Sequence, residues 1–156
     1  AGVGAAGEQL VSLVTQWQSV ERLGRSVGFN GPGRLVVWRP ERGTAEVLQE
    51  FPTAPGYSLG SVSSSAALVV GSNFPTFSPT FYTTLAPLHD PASAVLFPGV
   101  SLFDFVLLEP DFLYNTADLK FYRRQPPLQR TPLPATLAPL PSGESLRAAY
   151  HAVRLQ

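Results

Sequence analysis

The stretch EQLVSLVTQWQSVERLGR, residues 8–25, decides how this chain is read. Leu10, Leu13, Val14, Trp17, Val20 and Leu23 recur three and four residues apart, which in a helix collects them on one face. Gln9, Gln16, Gln18, Glu21, Arg22 and Arg25 fall largely on the other face. Glu8 comes early and Arg22 and Arg25 come late, as the helix dipole favours. Gly24, Gly28 and the run Asn30-Gly31-Pro32-Gly33 are stop signals. The pattern predicts an amphipathic helix over 8–25, laid on a sheet through Leu10, Leu13, Val14, Trp17 and Val20. Residues 1–7 ahead of it are small and read as a flexible end.

Downstream the period changes to that of strands and turns, over 33–124. Arg34–Arg39 reads as a strand, Pro40-Glu41-Arg42-Gly43 as a turn and Thr44–Phe51 as the returning hairpin partner. Pro52–Gly60 reads as a loop. Ala66–Val70 is short and continuously apolar, the mark of a strand buried on both faces. Ala94–Phe97, Leu102–Leu108 and Lys120–Arg123 continue the strands. Six prolines in residues 125–142 exclude a helix or central strand and predict an extended strap pinned by Leu128, Leu133, Leu137 and Leu140. Residues 143–156 form a C-terminal element readable as a short helix or a strand. The expected fold class is α+β: one domain over 1–156, an N-terminal amphipathic helix packed on an antiparallel β-sheet or meander, closed by the Pro-rich strap.

Composition narrows the function. The chain is 44% hydrophobic and only 14% charged, which argues against disorder. Eleven basic residues balance eleven acidic ones, so no net field draws it to nucleic acid or an anionic membrane. Lys120 is the one lysine among those basic residues, and with sixteen prolines this suits a thermophile. No cysteine is present, which removes disulfides, thiolate nucleophiles and cysteine-bound metals. No methionine is present either, and no apolar run reaches the roughly 18 residues of a membrane span. A membrane role is therefore expected only through a segment ahead of residue 1.

Chemistry-bearing residues are few. His89-Asp90 with Asp104 and a serine lacks the elbow motif of a serine hydrolase. Asp104, Glu109, Asp111 and Asp118 gather in the second half, but their spacing matches no calcium loop. Gly28, Gly31 and Gly33 follow a predicted helix instead of preceding one, the wrong order for a phosphate loop. Phe121, Tyr122, Arg123 and Arg124 offer a stacking and charge pair for nucleic acid, isolated in a neutral chain. Phe74, Phe77, Phe81 and Tyr82, interleaved with Pro75 and Pro79, read as a contact surface for a partner or as one end of the core. No catalytic, metal or cofactor site is expected, and the chain is expected not to be an enzyme.

Helix 9–25, the crossing Val27-Gly28-Phe29 and the strands Arg34–Trp38 and Thr44–Phe51 together resemble the soluble part of type IV pilins and type II secretion pseudopilins. The likeness is to the minor-pilin group, whose helix crosses straight into strands. It implies a structural subunit of a pilus, secretion or DNA-uptake filament at the cell surface or in the periplasm, with other copies or related subunits as partners. A second expectation is a viral capsid or decoration protein with a β-sandwich or jelly-roll body. A third is a carbohydrate-binding β-domain.

Overall fold

In a computed structural model, which describes residues 2–6, 9–51, 56–73 and 80–132, the chain is all-β. Twelve strands form three four-stranded antiparallel sheets among the described residues. The first sheet holds β1 (Gly2–Ala6), β2 (Gln9–Arg22), β3 (Arg25–Arg39) and β4 (Thr44–Phe51), in that order. The second holds β5 (Ser58–Val62), β6 (Ala66–Ser72), β7 (Phe81–Pro87) and β8 (Val95–Pro98). The third runs β9 (Phe105–Leu108), β10 (Phe112–Asn115), β11 (Phe121–Arg123) and β12 (Arg130–Thr131). Each sheet is a simple meander, and one short 3-10 turn at Pro91–Ser93 links β7 to β8.

The second sheet is the middle layer. All seven residues of β6 are buried, as its unbroken apolar run predicts. Its alternate residues serve opposite faces. Ala67 and Val69, with Ala86, pack against Val11, Leu13, Leu35, Val37 and Leu48 of the first sheet. Ala66 and Leu68, with Leu85 and Phe97, pack against Phe105, Leu107, Leu113 and Tyr122 of the third. Thr83 is a buried polar residue that is satisfied: its hydroxyl donates to Val100 O at 2.8 Å and accepts from Leu102 N at 2.9 Å. That pair of bonds fixes the chain leaving β8 against the middle of β7.

The predicted helix over 8–25 is not formed, and with it goes the helix-on-sheet α+β class and the pilin resemblance. Residues 9–25 are strand β2, the turn at Leu23-Gly24 and the first residue of β3, and Glu8 lies outside the described residues. Four of the fourteen residues of β2 (Val11, Val14, Thr15 and Val20) are β-branched, which favours extended backbone. The helical stripe also breaks up on the strand. Leu13 is buried beside Val11, whereas Leu10, Val14, Trp17 and Val20 are exposed. A period of two, Val11 and Leu13 facing in, competes with the period of 3.6, and pairing with Leu35 and Val37 on β3 decides it. The glycine–proline run read as a helix stop is instead a bulge. From Thr15↔Gly33 to Trp17↔Asn30, β2 advances two residues and β3 three, so the extra residue falls at Gly31-Pro32. Proline is tolerated there because a bulge needs no ladder bond.

Other boundaries shift less. The hairpin Arg34–Arg39 with Thr44–Phe51 is formed, though β3 begins at Arg25. Part of the predicted loop 52–60 enters β5, and Phe103-Asp104 is a turn before β9 instead of strand. Gly2–Ala6, expected to be flexible, pairs with β2. In the strap, Arg130–Thr131 pairs with β11 and Leu128 packs on the second core cluster. Leu133, Leu137, Leu140 and the element at 143–156 lie outside the described residues.

This layering separates two apolar residues that looked equivalent in sequence. Leu68→Ala should lower unfolding free energy by about 2–5 kcal/mol, as a cavity in a filled core does. Trp17→Ala, on a residue 73% exposed, should cost under about 1 kcal/mol. Urea denaturation of both variants checks the contrast, and equal losses would contradict it.

Candidate functional site

β2 and β3 run on past the body. β1 pairs only with residues up to Leu13, and β4 leaves β3 at Gly33↔Phe51. Beyond those points the register continues from Trp17↔Asn30 to Arg22↔Arg25 as a two-stranded ribbon. At roughly 3.3 Å per residue, residues 16–22 carry it about 23 Å outward. The turn is Leu23-Gly24, with φ of 49° and 73°. Positive φ at both central residues is a type I′ turn, the form whose twist matches the flanking strands. Leucine is an unusual choice for its first position, where asparagine or glycine sits without strain.

The ribbon holds several apolar side chains in water among polar ones. Trp17 is 73% exposed, Leu23 90% and Val14 52%, and Val20 is exposed as well. The Trp17 indole lies flat across Gly28, where a Cβ would run into its ring. The same device recurs in the body, where the Tyr82 ring covers Gly71, its partner in the register. An aromatic over a strand glycine restores the contact that the missing side chain leaves. At the root, a Cβ on Gly33 would come within 2.7 Å of Val14 O, so glycine is required for the ribbon to bend there. Beside it lies a cleft of about 470 Å³ walled by Val14, Thr15, Gln16, Pro32, Gly33 and Phe51, with the Arg34–Glu50 ion pair (3.3 Å) at its side.

A polar cluster sits elsewhere, between the middle and third sheets. Arg124 has only 8% of its side chain exposed and donates through Nε to Phe112 O (3.0 Å) and through a terminal nitrogen to Ser65 Oγ (3.2 Å). Its other terminal nitrogen lies 3.7 Å from Glu109 Oε1. Ser65 donates to that same oxygen from its hydroxyl (2.6 Å) and its backbone N–H (3.3 Å). These bonds tie the β5–β6 turn to the β9–β10 turn. Glu109 is held below the usual carboxylate range. Burial works in the opposite direction, but hydrogen bonding from Ser63 and Ser65 and the Arg124 charge outweigh it. The arrangement is a clamp: two of the Arg124 nitrogens are hydrogen-bonded, and the third faces Glu109 as an ion pair with no hydrogen bond of its own.

The residues singled out in sequence scatter. Phe81 is exposed at the start of β7, whereas Tyr82 turns inward beside Tyr57, ring centroids 6.2 Å apart. Burial, reinforced by Tyr57, pushes the Tyr82 hydroxyl well above its ordinary value. Phe74 and Phe77 lie outside the described residues. His89 is exposed in a bend, and Asp90 is exposed just before the 3-10 turn. Asp118 caps its own turn, accepting from Lys120 N and the Tyr122 hydroxyl. Among the described residues, no three histidines, aspartates or glutamates come together as a metal site. The Tyr122–Arg124 segment is no stacking platform, because Phe121, Tyr122 and Arg124 are all buried. Sequence reading missed the ribbon, since Leu-Gly is a weak turn signal beside Asn-Gly, and it missed the clamp, whose members lie up to 59 positions apart. Comparison of the chain with protein-family models, curated proteins and solved structures returned no match.

The clamp carries a pH signature. A carboxylate with a depressed folded pKa stabilises the fold above its unfolded pKa, about 4.3, and that stabilisation is lost as pH falls through the folded value. Thermal melts should place Glu109→Gln below wild type at neutral pH, with the two curves converging in acid. A gap that persists unchanged into acid would contradict the clamp.

Proposed function

We propose that this chain is a non-catalytic structural subunit of a protein assembly, and that the β2–β3 ribbon is the part by which it joins its neighbours. The observation that carries the reading is a two-stranded ribbon that leaves the layered body with Trp17 and Leu23 in water. An isolated two-stranded hairpin is marginally stable in water at best. A projecting one with an apolar surface is best understood as completed by a partner.

Of the settings raised by the sequence, a capsid or decoration subunit of a viral particle accords best with stacked antiparallel sheets. Such bodies present loops and arms to neighbours while their cores stay closed. The low charge and the balance of eleven basic and eleven acidic residues suit contacts between protein surfaces. The partners on this reading are other copies or related subunits.

The test is incorporation. In the native source, the chain should sediment with a large particle. A variant in which residues 16–32 are replaced by Asn-Gly should melt like wild type yet remain in the slow, unassembled fraction. Recovery of the wild-type chain only as a free small protein would overturn the reading, and so would full incorporation of the shortened variant.

A further inference from the structure

We propose that the C-terminal segment, residues 133–156, covers the outer face of the third sheet and closes a small apolar layer over Val106, Tyr114 and Phe121. This cover belongs to the body of the molecule and does not depend on the assembly reading.

The first support is burial on an outward face. Residues opposite one another in register share a face of a sheet. Leu107, Leu113 and Tyr122 are matched in that way, and all three pack into the core between the middle and third sheets. Val106, Tyr114 and Phe121 are matched one residue along, so they point to the other face. They belong to neither core cluster, yet they are only 6%, 4% and 8% exposed. The Tyr114 and Phe121 rings, 5.2 Å apart, shield each other's sides but leave the top of the row to be covered. The first sheet shows what an open face looks like in this molecule. Its outward residues Leu10, Trp38 and Val47 are 44%, 41% and 47% exposed. The contrast between the two outer faces requires a cover on the third sheet.

The second support is the path of the chain. β12 continues the buried row, because Thr131 stands opposite Phe121. β12 is antiparallel to β11, so the chain leaves Thr131 past the end where Phe121 sits and not back over Arg123. Burial follows that exit. The neighbouring row on the same face is Leu108, Phe112 and Arg123, partly buried at the first two and exposed at the third. Cover is therefore densest over the row where the chain departs. From Thr131 to Val106 is three strand spacings, about 14 Å. Five residues of extended, proline-rich chain cross that at about 3.1 Å each.

The third support is the chemistry of the segment. Residues 133–143 hold Leu133, Leu137 and Leu140 and no charged residue, a composition suited to an apolar face. The other stretches outside the described residues are held elsewhere at both ends. Residues 7 and 8 join β1 to β2 in the first sheet. Residues 52–55 follow Phe51, whose ring lies 4.8 Å from that of Tyr57 in the core of the first and middle sheets. Residues 74–79 join Asn73 to Thr80, hydrogen-bonded backbone to backbone (3.2 Å) at the end of the β6–β7 pair. Of these stretches, the C-terminal one alone begins beside the buried row.

The chain has no cysteine and no methionine, so either can be introduced as a single probe. Val106→Cys puts one thiol on the outer face, and Leu107→Cys puts one in the core behind it as a control. In the full chain both should react slowly with a maleimide. In a chain ending at Pro132, the Val106→Cys thiol should react at least about tenfold faster and the Leu107→Cys thiol no faster. A Val106→Cys thiol that is fast in the full chain overturns the proposal, and so does one that stays slow in the shortened chain. If both thiols become fast, the shortened chain has lost its fold, and a probe on the full chain decides. Val106→Met, made with a diazirine analogue of methionine, is irradiated and its adducts beyond the third sheet are mapped by mass spectrometry. Adducts to residues 133–156 of the same chain support the cover. Adducts to any other segment or to a second chain, or none beyond the sheet, overturn it.

Discussion

Ala66–Ser72 is buried on both faces, and the positions of the other two sheets follow from that. A strand with apolar residues at every position cannot turn either side to water, so a layer must cover each. Leu68 and Val69 are neighbours in sequence yet belong to different cores, one facing the third sheet and the other the first. Each core closes with residues from only two sheets. The three-layer order is therefore set by one seven-residue run, and the meander connections merely deliver sheets to either side of it.

Polar residues then fix how the layers sit. Thr83 spends its hydroxyl on Val100 and Leu102, inside the core shared by the middle and third sheets. Arg124 and Glu109 do the same at the sheet ends through Ser65. On the other side, Arg39 pairs with Glu46 on its own sheet and donates to Leu88 O (2.8 Å), a carbonyl beyond the end of β7. Apolar burial is indifferent to small slides between layers, whereas these bonds are satisfied in one alignment only. Breaking a member would leave a buried partner unsatisfied, so the alignment is protected by the cost of leaving it.

How much of this was legible depends on range. Ala66–Val70 announced itself because double burial leaves a continuous apolar run, and Pro40–Gly43 did so because its turn chemistry is local. Residues 8–25 misled because Leu10, Val14, Trp17 and Val20 form a helical stripe whose members are all exposed on the strand. Periodicity records where apolar residues are and is silent about what they touch. Here two of the inward residues, Val11 and Leu13, are decided by Leu35 and Val37 more than twenty positions away, and the remaining apolar residues face water. The clamp was invisible for a plainer reason: an arginine, a glutamate and a serine in separate turns carry no mutual spacing.

The misreading and the site have one cause. An ordinary surface hairpin of this length would alternate one apolar face against its body with one polar face to solvent, and it would read as a strand. The ribbon between Thr15 and Gly33 runs on past the pairing of β1 and β4, and it carries exposed apolar residues on both sides and at the tip. Its local choices, Leu23 at a turn position made for asparagine and Trp17 spread over Gly28, make poor sense for the chain alone. On the proposed reading they become consistent, because a sequence whose ribbon is one half of a contact surface answers to the contacts of the assembled state.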